Sequence, residues 1–171
     1  MEQRAKGSSG SAQGSLEYSI YELLKRHGIA MTTAESATGG MIASTLVNVP
    51  GISSFFQEGY VTYSDTAKVK MLGVNAGTIR RYGVVSAETA ADMAQSAART
   101  ADCEAALSVT GVAGPDGGTP ECPVGLVYIG CHLMGETVTE RHVFAGDRFQ
   151  VRRSATLAAL SLLKKKLEEM G

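Results

Sequence analysis

Ile29-Ala30-Met31-Thr32-Thr33-Ala34-Glu35-Ser36-Ala37-Thr38-Gly39-Gly40 reads as a short buried strand, Ile29 to Thr33, that runs out into a glycine pair. Met41 to Val47 after it is helical, so the stretch is a strand–loop–helix unit of the kind that builds sheets covered by helices. On the N-terminal side, Leu16, Ile20, Leu23 and Leu24 recur at helical spacing and stop at His27-Gly28. On the C-terminal side, Pro50-Gly51 breaks the chain and Ile52–Phe56 fits neither period. Gly59–Tyr63 has the β-branched and aromatic content of a strand.

Ser64 or Asp65 then predicts an N-cap for a helix through Lys68, Val69 and Leu72, stopped at Gly73. A short helix over Ala76–Tyr82 and a longer one over Ala87–Ala101, capped by Ser86, follow. Ala105–Val109 is a strand that empties into Thr110–Gly118. Val124–Leu133 and Thr137–Phe144 form a hairpin, and Gly146-Asp147 starts a last helix with Val151, Ala155, Ala158 and Leu162 inward. Early alternation and a late hairpin predict an α/β fold, a three-layer α/β/α sandwich with a mixed, mostly parallel sheet. Residues 1–14 are rich in Gly, Ser and Gln and read as a flexible lead-in; residues 15–171 form the single domain.

Composition excludes several classes. Lys and Arg total 16 against 17 Asp and Glu, so a domain dedicated to a phosphate backbone, usually strongly basic, is disfavoured. The chain lacks Trp and carries 6% aromatics, which leaves little for stacking bases. No apolar run nears the roughly 18 residues of a membrane span, and no signal segment is present, so the expected compartment is the cytoplasm. Cys103, Cys122 and Cys131 lack CxxC spacing, and His27, His132 and His142 lack metal-ligand spacing; no metal and no cofactor are expected.

Four constellations bear on chemistry. Ligands of open α/β sheets sit beyond strand carboxyl ends, where Glu35–Gly40 and Thr110–Gly118 lie. The helix start at Thr38-Gly39-Gly40 is a candidate anion site, against the plainer reading of Thr38 as an N-cap. Thr110 and Gly111 open a loop that lets backbone approach a ligand. Arg148 and Arg152 lie four apart near a helix start and suit a phosphate or carboxylate, though a solvated helix start is commoner. Ser53, Tyr63 and Lys68 are a serine, a hydroxyl and an amine whose pKa burial would lower; spacing alone favours ordinary structural roles for them.

Together, Thr33–Gly40, Gly59–Lys68, Thr110–Gly118, Pro123-Val124-Gly125 and Gly146–Arg152 resemble, in order, the motifs of the CinA C-terminal domain family. The resemblance runs from about Leu16 to Leu167. It differs at Ala37, where the family usually has Cys, and at Gly51-Ile52-Ser53, where it reads Gly-Ser-Ser. The resemblance implies a stand-alone nicotinamide-nucleotide amidase, commonly a homodimer, that converts nicotinamide mononucleotide and water to nicotinate mononucleotide and ammonia in pyridine nucleotide recycling. It implies a metal-free Ser/Lys mechanism with Ser53 as nucleophile, Lys68 as base and Tyr63 as assisting hydroxyl; Ser36 and Ser54 are the alternatives to Ser53. Glu35, Ser36, Thr38, Gly39, Gly40, Thr110, Gly111, Arg148 and Arg152 are the expected substrate contacts. A non-catalytic nucleotide-binding regulatory domain is the rival reading.

Overall fold

The computed structural model describes residues 14–171, so most of the expected lead-in lies outside the described residues. Helix α1 (Leu16–His27) is capped by Ser15 and ends at Gly28 in the left-handed region (φ 66°), where a side chain would be strained. Strand β1 (Met31–Glu35) and helix α2 (Met41–Leu46) follow, then a single tight turn at Ile52–Ser54. Strand β2 is only Tyr60–Val61. Helix α3 (Asp65–Ala67), capped by the Ser64 hydroxyl, widens into a π-type turn over Lys68–Leu72. Helices α4 (Ala76–Tyr82) and α5 (Ala87–Thr100) precede β3 (Ala105–Gly111), β4 (Leu126–Leu133), β5 (Glu136–Val143) and α6 (Arg148–Glu168).

The sheet order is β2-β1-β3-β4-β5. Its β2-β1-β3 half is parallel and its β3-β4-β5 half antiparallel. Both sheet faces are covered, as a sheet with apolar side chains on both faces requires. Alternation along β3 sends Ala105, Leu107 and Val109 to a core shared with α1, α2 and α6. Ala106 points the other way, with Ala34, to Met93 and Ala97 of α5 and Leu72 of the π-type turn. Gly130 in β4 permits α5 to lie close: a Cβ there would stand 2.5 Å from the Ala90 carbonyl oxygen. The Asp147 side chain and Gln150 form a reciprocal capping box that starts α6 where the sequence places it.

Candidate active site

The C-terminal ends of β1 and β3 and the chain beyond β2 surround a cavity of about 260 Å³ lined by Ser36, Ala37, Tyr63, Lys68, Val84, Thr110, Gly111, Gly114, Asp116 and Arg148, among others. Its chemistry centres on Lys68. The parallel register pairs Ala34 with Tyr60 and Glu35 with Val61, which carries Ser36 alongside Thr62. The π-type turn then folds Lys68 back onto both: its Nζ donates to Ser36 Oγ at 3.1 Å and to the Thr62 carbonyl at 3.0 Å. Lys68 is 1% exposed, the largest fully buried side chain among the described residues. No carboxylate among the described residues bonds it. Burial lowers its pKa below the ordinary lysine value, and Asp65 nearby acts weakly the other way.

A lysine with a lowered pKa is a cost to the fold. Below its folded pKa, an ammonium that the interior disfavours must be buried; between that pKa and 10.5 the unfolded chain binds more protons, so stability rises with pH across this window. Lys68→Met removes the amine and keeps an unbranched chain. For an ammonium the desolvation relieved is several kcal/mol, and the two charge-assisted bonds lost, worth about 1.5–3 kcal/mol each, nearly offset it. The expected result in a neutral-pH thermal melt is a Tm within about 2 °C of the wild type.

Ser53, the expected partner of Lys68, is not part of this arrangement. It is exposed, in the Ile52–Ser54 turn, and does not line the cavity. The residues after that turn bind the start of β1: the Phe55 carbonyl accepts from Met31 N at 2.7 Å, and Phe56 bridges to Met31. Ser36 follows the far end of the same strand, Met31–Glu35, ~16 Å away at about 3.3 Å per residue. Ser54, exposed in the same turn, is equally remote. The hydroxyl that meets Lys68 is that of Ser36. Ser53→Ala is therefore expected to leave the Lys68 environment, and any activity that depends on it, within about twofold of the wild type.

Tyr63 lines the cavity but its hydroxyl bonds neither Ser36 nor Lys68; it accepts from Arg148 Nη2 at 2.6 Å. Arg148 Nη1 donates to the Gly114 carbonyl at 2.6 Å, so one guanidinium joins the chain after β2 to the glycine loop across the cavity.

The remaining expected contacts divide sharply. Glu35 is 0% exposed and does not line the cavity. Its carboxylate accepts from Gly40 N (2.9 Å), Ile42 N (3.1 Å) and Ala43 N (2.9 Å). These are the donors a phosphate would need, so the Thr38-Gly39-Gly40 helix start is already occupied by the protein's own anion. Thr38 does not cap α2 either; its hydroxyl is buried without a hydrogen-bond partner among the described residues, and Gly40 (φ 94°) holds the cap position. Thr110 spends its hydroxyl on the Val84 carbonyl at 2.7 Å, fixing one cavity wall. Gly111 answers to sheet packing as well as to the cavity: a Cβ would stand 2.6 Å from the Leu126 carbonyl oxygen. Arg152 stands behind the cavity, Nε on the Ala37 carbonyl (3.1 Å) and Nη2 on the Thr38 carbonyl (2.7 Å).

Comparison with known proteins places the sequence and the fold in a family. The CinA C-terminal domain family matches residues 13–167. The CinA-like protein of Kosmotoga olearia is 46% identical over 158 residues, 92% of this chain, although the chain spans 38% of that relative's length. Two crystal structures superpose over nearly their whole length. The competence damage-inducible protein A of Klebsiella pneumoniae is 36% identical, with 90% of this chain and 95% of that one covered and a TM-score of 0.86. The competence-damaged protein (CinA) superfamily protein of Enterobacter cloacae is 32% identical, with 98% of each covered and a TM-score of 0.87. By its sequence match and its fold, this chain belongs to the CinA C-terminal domain family.

Proposed function

We propose that this domain is an amidohydrolase that cleaves the carboxamide of nicotinamide mononucleotide, releasing ammonia and nicotinate mononucleotide. The observation that carries the reading is the 3.1 Å contact between the Ser36 hydroxyl and the Nζ of a buried lysine. A serine hydroxyl is a weak nucleophile until a base takes its proton, and a desolvated lysine is such a base.

In this mechanism neutral Lys68 accepts the Ser36 proton as Ser36 Oγ attacks the carboxamide carbon. The backbone N–H groups of Ala37 and Thr38, which no bond among the described residues engages, follow the nucleophile directly and stabilise the oxyanion. The Lys68 ammonium then protonates the leaving amine, and water attacks the acyl ester with Lys68 again as base. Tyr63 and Arg148 supply an aromatic wall and a fixed cation at the cavity, suited to a pyridine ring and a nucleotide phosphate. The reading brings with it a cytoplasmic enzyme of pyridine nucleotide recycling that works without a cofactor. No described helix is long and apolar enough to cross a membrane.

The test is steady-state release of ammonia from nicotinamide mononucleotide across pH. Only neutral Lys68 is a base, so kcat/KM rises with pH through the Lys68 pKa, and the inflection falls below 10.5. A rate that falls as pH rises through the neutral range would contradict Lys68 as the base.

A further inference from the structure

Arg152 carries a positive charge but makes no ion pair with a carboxylate among the described residues. Both of its bonds go to main-chain carbonyls, of Ala37 at 3.1 Å and Thr38 at 2.7 Å, in the two residues after Ser36. The carbonyl of Ser36 itself is held by Gly39 N at 3.0 Å. All three carbonyls of this turn are thus fixed. In a trans peptide the N–H points opposite to the C=O of the same unit. Fixing the Ser36 and Ala37 carbonyls therefore fixes the Ala37 and Thr38 N–H groups, and turns the Thr38 N–H away from Arg152. A Cβ on Gly39 (φ 58°) would stand 3.3 Å from Arg152 Nη2, so the fork is seated closely against the turn. Arg152 does not line the cavity, whereas Ser36 and Ala37 do.

We propose that Arg152 is a positioning residue for the reaction above: its two-pronged bond to the Ala37 and Thr38 carbonyls aims the N–H groups that receive the oxyanion at Ser36. The proposal rests on Ser36 as nucleophile and replaces the expectation that Arg152 clamps the substrate phosphate. A planar guanidinium spans two carbonyls at fixed separation; an ammonium does not. Misplacing catalytic donors by about 1 Å costs on the order of 10²-fold in rate.

The experiment has two readouts on the wild type, Arg152→Lys and Arg152→Ala. One is the second-order rate at which a fluorophosphonate labels Ser36: Ser36 Oγ bonds to phosphorus, fluoride leaves with the P–F electrons, and the proton passes to Lys68. This reagent presents an oxyanion but no nucleotide phosphate. The other is the kcat and KM for ammonia release from nicotinamide mononucleotide. Positioning predicts labelling and kcat lowered together, about 10²-fold in Arg152→Ala and about 10-fold in Arg152→Lys, with KM within about threefold. A raised KM with unchanged labelling would overturn the proposal in favour of a phosphate ligand. Unchanged labelling and kcat in both variants would overturn it outright. Labelling that depends on Arg152 in a protein that releases no ammonia would sustain the positioning role and refute the substrate. A wild type that is not labelled at Ser36 would refute the nucleophile and the proposal with it. Arg152→Lys retains the charge and the aliphatic stem, so it answers the question even where Arg152→Ala folds poorly.

Discussion

Replacing Ser36 by Ala is expected to lower ammonia release from nicotinamide mononucleotide by about 10³-fold or more, with the fold intact. The loss is large because the hydroxyl takes part in every covalent step: it attacks, it carries the acyl group, and its oxygen is the leaving group in hydrolysis. What survives is the background supplied by positioned donors and binding. The fold should tolerate the change. Ser36 is half-buried at a cavity wall, and among the described residues its side chain bonds Lys68 Nζ, which keeps the Thr62 carbonyl as a partner. Circular dichroism and a melting curve close to the wild type would accompany the lost rate. Wild-type turnover in Ser36→Ala would move the nucleophile elsewhere.

Glu35→Ala is the substitution with the largest expected effect on stability. The carboxylate is wholly buried and satisfies three main-chain N–H groups at the start of α2. Alanine cannot accept from any of them. Donors left unmet in the interior cost about 1–3 kcal/mol each, and water reaching the half-buried Gly40 N–H recovers part of that. The balance is a loss of about 3–5 kcal/mol, seen as a Tm lowered by roughly 10 °C. Because the Ser36–Gly39 turn connects Glu35 to α2, activity should fall as well. Glu35→Gln keeps one acceptor and should lie between the two. A Glu35→Ala melt within about 2 °C of the wild type would show that the helix start does not depend on the carboxylate.

Glu35 illustrates where sequence reading succeeds and where it stops. Strand, turn and helix around it are local matters of period and glycine, and β1 and α2 lie within two residues of their expected positions. The same holds for α4, for the capped starts of α5 and α6, and for the hairpin around Met134-Gly135. Whether a carboxylate at a strand end faces a ligand or turns back to cap the next helix is set by side-chain direction, which a one-dimensional pattern does not hold. The Ser36–Lys68 pair was less legible still. Its members are 32 residues apart and meet only because β2 docks parallel to β1 in one register and a π-type turn inverts the chain after it. Ser53 is nearer to Lys68 along the chain and lies at the wrong end of β1 in space. One signal did favour Ser36: it follows a strand's carboxyl end, where ligands of such sheets bind.

The measurement that tests the central claim most directly is ammonia release from nicotinamide mononucleotide by the wild-type protein, with Lys68→Met as the matched control. The prediction is sustained turnover in the wild type, nicotinate mononucleotide formed in equal amount, and a rate reduced by about 10³-fold or more in a control that is folded and melts close to the wild type. Absence of ammonia from the wild type, with the nucleotide still raising its melting temperature, would contradict the account and leave a domain that binds nucleotide without cleaving it.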